Sequence, residues 1–265
     1  MRLFIGFTVI FSCTNTALSY LPVEAVIFDM DGLLLNTEAV YFKTHSEICK
    51  RFNRTYTKEV QHKVMGMQPN SSAETIVNIF GLNITPEAYR AEYEKLISQR
   101  LYSIDLMPGV RKVTRHLYFH QIPLALATSN TAQFYEIVTA EHKHIFNLFE
   151  RIIIGGSNPE VKNAEPAPDI FLLCLERLQS LYPELRAERV LVFEDSPQGV
   201  LGARRAGMQV VMVPDPTLPK EYRVNATKVL LTLNDFVPEE FGLPPYKLYA
   251  MKDEEKRYTD LVIDE

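Results

Sequence analysis

Short apolar runs that stop at polar residues alternate along most of this chain with longer stretches in which apolar positions recur every three or four residues. Runs of the first kind read as strands buried on both faces, and stretches of the second kind read as amphipathic helices. The first run, Val26-Ile27-Phe28, follows Pro22 and ends abruptly in Asp29-Met30-Asp31-Gly32. Asn36-Thr37-Glu38 then opens a helix to about Phe52, with Asn36 or Thr37 able to cap it. Ser71-Ser72-Ala73-Glu74 has the spacing of a capping box, and Thr85-Pro86-Glu87 starts a helix ending near Leu101. No buried strand is legible from Thr37 to Tyr102, so residues 37–102 read as an all-helical insertion, or cap, behind the first strand.

From Met107-Pro108-Gly109 onward the pattern becomes alternation of helix and strand, the signature of βαβ units on a parallel sheet. Val110 to His120 is helical, and Ile122 to Ala127 is a strand ending in Thr128-Ser129-Asn130. Thr131 to His144 reads as a single helix, and Arg151 to Ile154 as a short strand stopped by Gly155-Gly156. Pro168 begins a helix to about Leu181, and Val190 to Phe193 is a buried strand ending in Glu194-Asp195. Ser196-Pro197 starts a helix closed near Gly207, Gln209 to Val213 is a strand, and Val229-Leu230-Leu231 is a further candidate. The expected fold is α/β: a Rossmann-like parallel-sheet core from residues 20–36 and 103–246, with the helical cap at 37–102. Residues 1–19 stand apart as an apolar extension, and the charged, aperiodic stretch 247–265 reads as a mobile tail.

Hydrophobic residues at 46% and charged residues at 23% are ordinary for a globular protein, and a formal charge of -5 provides no footprint for a nucleic acid polymer or an anionic membrane. Cys13, Cys49 and Cys174 are too few and too scattered for a disulfide framework or a metal knot, and His142 with His144 reads as a solvated helix end. Arg2 followed by Leu3 to Phe11 and Ala17-Leu18-Ser19 has the layout of a secretory signal. The same segment also reads as an uncleaved extension or a mistaken start, and it is too short for a stable membrane span. Asn53, Asn70, Asn83 and Asn225 each head an Asn-x-Ser/Thr triplet, a second and weaker hint of secretion. Oligomeric state leaves no mark in the sequence.

Three strand ends carry polar groups: Asp29 with Asp31, Thr128 with Ser129 and Asn130, and Glu194 with Asp195. In a parallel sheet all three fall on one edge, where open α/β sheets bind ligands. Taken alone, Asp-x-Asp-Gly also reads as a turn or a fragment of a calcium loop, although Leu33-Leu34-Leu35 supply no alternating oxygen ligands. Two carboxylates this close repel, and a hard oxygen-ligating cation such as Mg2+ relieves the repulsion at neutral pH.

The segments FDMDGLLLNTE (28–38), LALATSN (124–130) and LVFEDSPQGV (191–200) resemble the haloacid dehalogenase superfamily of phosphohydrolases. The resemblance implies that Asp29 is a nucleophile forming an aspartyl phosphate and that Asp31 is general acid, then base. It assigns the phosphoryl oxygens to Thr128 and to the backbone N–H groups of Ser129 and Asn130. It assigns Mg2+ to the Asp29 carboxylate, the Asp31 carbonyl and Asp195, with Glu194 acting through water. The implied substrate is a small phosphorylated metabolite, pseudouridine 5'-phosphate or a similar nucleotide or sugar phosphate, and the implied location is cytoplasmic, with secretion as the alternative. Where the superfamily carries a Lys before a Pro, this chain has Glu165, a reversal of sign; Lys162, three residues earlier, is the nearest possible substitute. Asn36 stands where relatives carry Asp. Glu165 leaves open a weakly active relative that only binds a phosphorylated ligand, and the same intermediate would also serve a phosphomutase.

Overall fold

The computed structural model describes residues 19–67, 69–155 and 158–246. The signal-like segment before Ser19, Gly156 and the tail from Lys247 lie outside the described residues. Residues 23–236 form one compact unit, and the described residues 19–22 and 237–246 belong to a second. Within the second, Tyr20 stacks on Phe241 with ring centroids 4.5 Å apart, and its N–H donates to the Glu240 carbonyl at 3.1 Å.

Six parallel strands make the sheet: β1 Ala25–Phe28, β2 Leu124–Thr128, β3 Arg151–Ile154, β4 Val190–Glu194, β5 Gln209–Met212 and β6 Lys228–Val229, in the order β3-β2-β1-β4-β5-β6. β1, β2, β4 and β5 are buried along their whole length, which is why they read as continuous apolar runs rather than alternating ones. One face packs Ile27, Val192 and Val210 against Phe171 and Leu175 of α8 (Asp169–Gln179) and Val200 of α9 (Pro197–Arg205). On β1 and β4, Phe28 and Phe193 stack at 4.8 Å, with Phe236 edge-on to Phe193 at 4.9 Å. Each such side chain contributes about 1.5 to 3 kcal/mol by leaving water. The strand order reverses direction at β1, so the switch point opens between β1 and β4, at the carboxyl ends of the strands.

Between β1 and β2 lie α1 Thr37–Arg51, α2 Lys58–Val64, α3 Pro69–Phe80, α4 Pro86–Ile97 and α5 Val110–Phe119. The first four share an apolar cluster of their own, including Ile48, Val60, Ile76, Val77 and Tyr89. Thr57 and Thr85 cap α2 and α4, accepting from the N–H groups of Val60 at 3.4 Å and Ala88 at 3.2 Å.

Several expected boundaries are corrected. Helix α3 starts at Pro69 rather than Ser71, because proline in the first turn lacks only an N–H that no helix would use. Asn36 precedes α1 without a side-chain capping bond. The expected helix 131–144 divides into α6 Ala132–Thr139, a 3-10 turn at Ala140–His142 and α7 Lys143–Phe146. There the His142 ring is half-buried and meets the Ile104 carbonyl through Nε2 at 2.6 Å, so it is not a solvated end. Cys49 and Cys174 are free, buried thiols. Among the described residues no helix is long and apolar enough to cross a membrane.

Candidate active site

The chain leaves β1 at Asp29 and turns immediately. The N–H groups of Leu34 and Leu35 both donate to the Met30 carbonyl at 3.0 Å, and Gly32 donates to the Leu35 carbonyl at 2.9 Å. Gly32 has φ +80°, and a Cβ there would overlap the Asp195 carboxylate. Only glycine therefore permits both the turn and the approach of β4's acidic end. At that end Ser196 caps α9, its hydroxyl accepting from the Gly199 N–H at 2.9 Å. Ser196 also donates to Glu194 Oε2 through its N–H at 2.9 Å and its hydroxyl at 3.1 Å, which fixes the direction of that carboxylate. A Cβ on Gly199 would overlap Glu194.

These constraints bring one carboxylate oxygen each of Asp29, Glu194 and Asp195 within 4.8 Å of one another. Burial raises the Asp29 carboxyl well above its ordinary range, and Glu194, Asp195, Asp31 and Glu165 raise it further. Burial also lifts Glu194 to about 7 and Asp195 well above its usual value, Glu194 being the largest charge acting on Asp195. Among the described residues no Lys or Arg pairs with the three. A cluster of oxygen donors without a counter-charge suits a hard divalent cation, whose charge would remove the repulsion.

Asp31 faces a different set of partners. Its Oδ1 accepts from the Tyr41 hydroxyl at 2.5 Å, and its Oδ2 from Asn130 Nδ2 at 2.6 Å and the Thr128 hydroxyl at 3.3 Å. Burial raises this carboxyl and these bonds pull it back down. Thr128 is 1% exposed and directs its hydroxyl to Asp31, while the Asn130 N–H lies 3.3 Å from the same hydroxyl. Ser129 and Asn130 line the adjoining cavity.

That cavity, about 470 Å³, lies between the strand ends and the inserted helices. Asp29, Asp31, Glu165 and Asp195 line it from one side, and Tyr41, His45 and Tyr93 from α1 and α4. His45 stacks on Tyr93 at 4.4 Å and meets the Tyr89 hydroxyl through Nδ1 at 2.8 Å; burial holds its pKa down at about 3. Glu38 also lines it, raised to about 7 by burial and bonded to Gln61 Nε2 at 2.6 Å. Glu165 is half-buried at the cavity wall, raised well above its usual value by burial first and Glu194 second. Lys162 is exposed and is not among the cavity-lining residues.

Sequence reasoning thus reached Asp29, Asp31, Thr128, Ser129, Asn130, Glu165, Glu194 and Asp195, which the fold gathers at one edge, and missed Tyr41, Ser196, Gly199, Glu38 and Gln61. Ser196 carried a signal, since Ser-Pro before an apolar periodic stretch marks a capped helix start. Tyr41 carried none.

Residues 26–213 match the model of the haloacid dehalogenase-like hydrolase family. A probable pseudouridine-5'-phosphatase of Drosophila melanogaster is 43% identical over 83% of this chain and 94% of its own length. A (DL)-glycerol-3-phosphatase of Arabidopsis thaliana is 38% identical over 84% of this chain and 92% of its own. Among solved structures, a putative beta-phosphoglucomutase from Thermotoga maritima superposes with a TM-score of 0.60 at 27% identity, covering 78% of this chain and 94% of that one. With its parallel sheet, acidic strand ends and match over most of its length, this chain belongs to the haloacid dehalogenase-like hydrolase family and is an enzyme of its phosphatase type.

Proposed function

We propose that the chain hydrolyses a small phosphomonoester with Mg2+ through an aspartyl phosphate, the substrate being pseudouridine 5'-phosphate or a similar nucleotide or sugar phosphate. The observation that carries this reading is the approach of Asp29, Glu194 and Asp195 to within 4.8 Å at the wall of a 470 Å³ cavity. Helices of residues 37–102 act as a cap over a core of residues 20–36 and 103–246, so that the substrate sits between them. Asp29 attacks phosphorus and forms the new P–O bond as the bond to the leaving oxygen breaks, and Asp31 gives that oxygen its proton. The Asp31 carboxylate then takes a proton from the water that attacks the phosphoryl group. The bond to Asp29 breaks, inorganic phosphate leaves, and both carboxyl groups return to their starting states.

Ser129 and Asn130, with Thr128 behind them, are assigned the phosphoryl oxygens. Mg2+ would be held by the Asp29 and Asp195 carboxylates and the Asp31 carbonyl, with Glu194 beside it directly or through water. When bound it supplies the positive charge that lets a carboxylate approach a phosphate dianion. Cytoplasmic residence accords with this reading, because cells retain charged phosphorylated metabolites.

A second reading, of a phosphate-ligand binder with little turnover, is favoured by Glu165. Its charge acts on Asp29 and Asp195, at the position where the resemblance calls for Lys. Loss of one such stabilising charge costs about 3 to 4 kcal/mol of transition-state stabilisation. The test is phosphate release with Mg2+ from pseudouridine 5'-phosphate, other nucleotides, sugar phosphates and glycerol phosphate, comparing wild type, Asp29→Asn and Glu165→Lys. Release by wild type that vanishes in Asp29→Asn supports the hydrolase. An inert wild type beside an active Glu165→Lys supports the binder, and transfer to a second sugar without release would instead mark a mutase.

A further inference from the structure

The shortest hydrogen bond to Asp31 comes from outside the sheet edge. Tyr41 belongs to α1, in the helical insertion, and its hydroxyl meets Asp31 Oδ1 at 2.5 Å. Its ring centroid lies 6.4 Å from that of Tyr93 of α4 and 6.1 Å from that of Phe134 of α6, so the phenol packs among aromatic rings from two other helices. The other Asp31 oxygen is held by Asn130 and Thr128, and Asn130 Nδ2 also reaches the Tyr41 hydroxyl at 3.4 Å.

We propose that Tyr41 is a positioning residue for Asp31, and that it fixes Oδ1 as the oxygen that exchanges the proton. The inference rests on the hydrolase reading above and deepens it. A carboxyl group turns easily about its last torsion, whose minimum is broad. Oδ2 faces two donors, one of them an amide that can only donate, so Oδ2 is the oxygen that stays unprotonated. Oδ1 meets a phenol that donates to one of its lone pairs, and Oδ1 keeps a second lone pair for the proton that passes to the leaving oxygen and returns from water. Tyr41 therefore remains engaged through both halves of the reaction.

The test uses Tyr41→Phe, which keeps the ring contacts and removes the hydroxyl. An alkyl phosphate needs its leaving oxygen protonated, whereas p-nitrophenyl phosphate releases a stable phenolate without a proton. For the alkyl ester kcat/KM should fall about tenfold or more, within the range general acids supply. For the aryl ester it should stay within about twofold, since positioning the acid is not needed there. Equal losses on both esters, or none, would overturn the proposal. A second measurement needs no turnover: in crystal structures of the two proteins, Asp31 should change orientation in Tyr41→Phe, and an unmoved carboxyl would count against it. Absence of phosphate release, or release surviving Asp29→Asn, would refute the hydrolase reading instead, and the crystallographic comparison would still decide the role of Tyr41.

Discussion

Gly32 and Gly199 decide how near the acidic side chains come, because a methyl group at either position would occupy space taken by the carboxylates of Asp195 and Glu194. Gly199 gives the sharper test. It sits in the first turn of α9, where exchanging Gly for Ala ordinarily stabilises a helix by roughly 1 kcal/mol. Here Gly199→Ala is expected to lower unfolding free energy by about 1 kcal/mol or more, because a displaced buried carboxylate loses its two Ser196 bonds. Mg2+ affinity, measured by calorimetry, should fall with it. A more stable variant with unchanged affinity would show that Glu194 has room to move. Gly32 was legible as the glycine of a close turn, but the clearance it leaves for Asp195, and that of Gly199 for Glu194, was not, since each depends on how the carboxylate is turned in the fold.

At the scale of elements, β1 and β4 work as a pair, and their abrupt passage from apolar to acidic residues is why the site could be read from the chain at all. A buried parallel strand leaves few choices: its apolar run fixes its length, and the residues after it fall on the ligand edge. Helices carry less of this information. Tyr41 and His45 share the inner side of α1 because of how four helices pack, and nothing in local spacing sets the phase of that packing against the sheet. The break of residues 131–144 at Ala140 was hidden for a similar reason, since the half-buried bond from His142 to Ile104 joins segments far apart in the sequence.

His45 links α1 to α4 and makes that contact sensitive to acid. Its pKa is about 3 when folded, against 6.5 as the ordinary value, so between those limits the unfolded chain binds more protons and stability falls as pH falls. By pH 4 this amounts to on the order of 3 kcal/mol. His45→Phe should keep the stacking, lose a constant amount from the missing bond to the Tyr89 hydroxyl, and lack this slope. Denaturant titrations from pH 7 to pH 4 should therefore show wild type losing stability relative to the variant. A constant difference between them would mean that His45 is not held neutral.

The whole molecule carries a formal charge of -5, and part of it is gathered at the sheet edge, where Asp29, Glu194 and Asp195 repel one another. Binding of a cation only to the folded state stabilises it by mass action, about 2.7 kcal/mol at one hundred times the dissociation constant. For a chain of this size that is roughly 5 to 10 °C in Tm. Mg2+ should produce this shift, EDTA should reverse it, and Asp195→Asn should abolish it; a shift that persists in Asp195→Asn would place the metal elsewhere. The convergence of remote carboxylates was legible as soon as the sheet was read as parallel, whereas the identity of the ester was not, because the cavity wall is made largely by helices whose inward faces the sequence does not mark.

The most direct measurement is acid quenching within one turnover in the presence of Mg2+, followed by mass spectrometry of the peptide that spans β1. One phosphoryl group is expected on Asp29, absent without Mg2+ and absent in Asp29→Asn. Phosphate release from a wild-type enzyme that never carries the group on Asp29, or that carries it on another residue, would contradict that expectation.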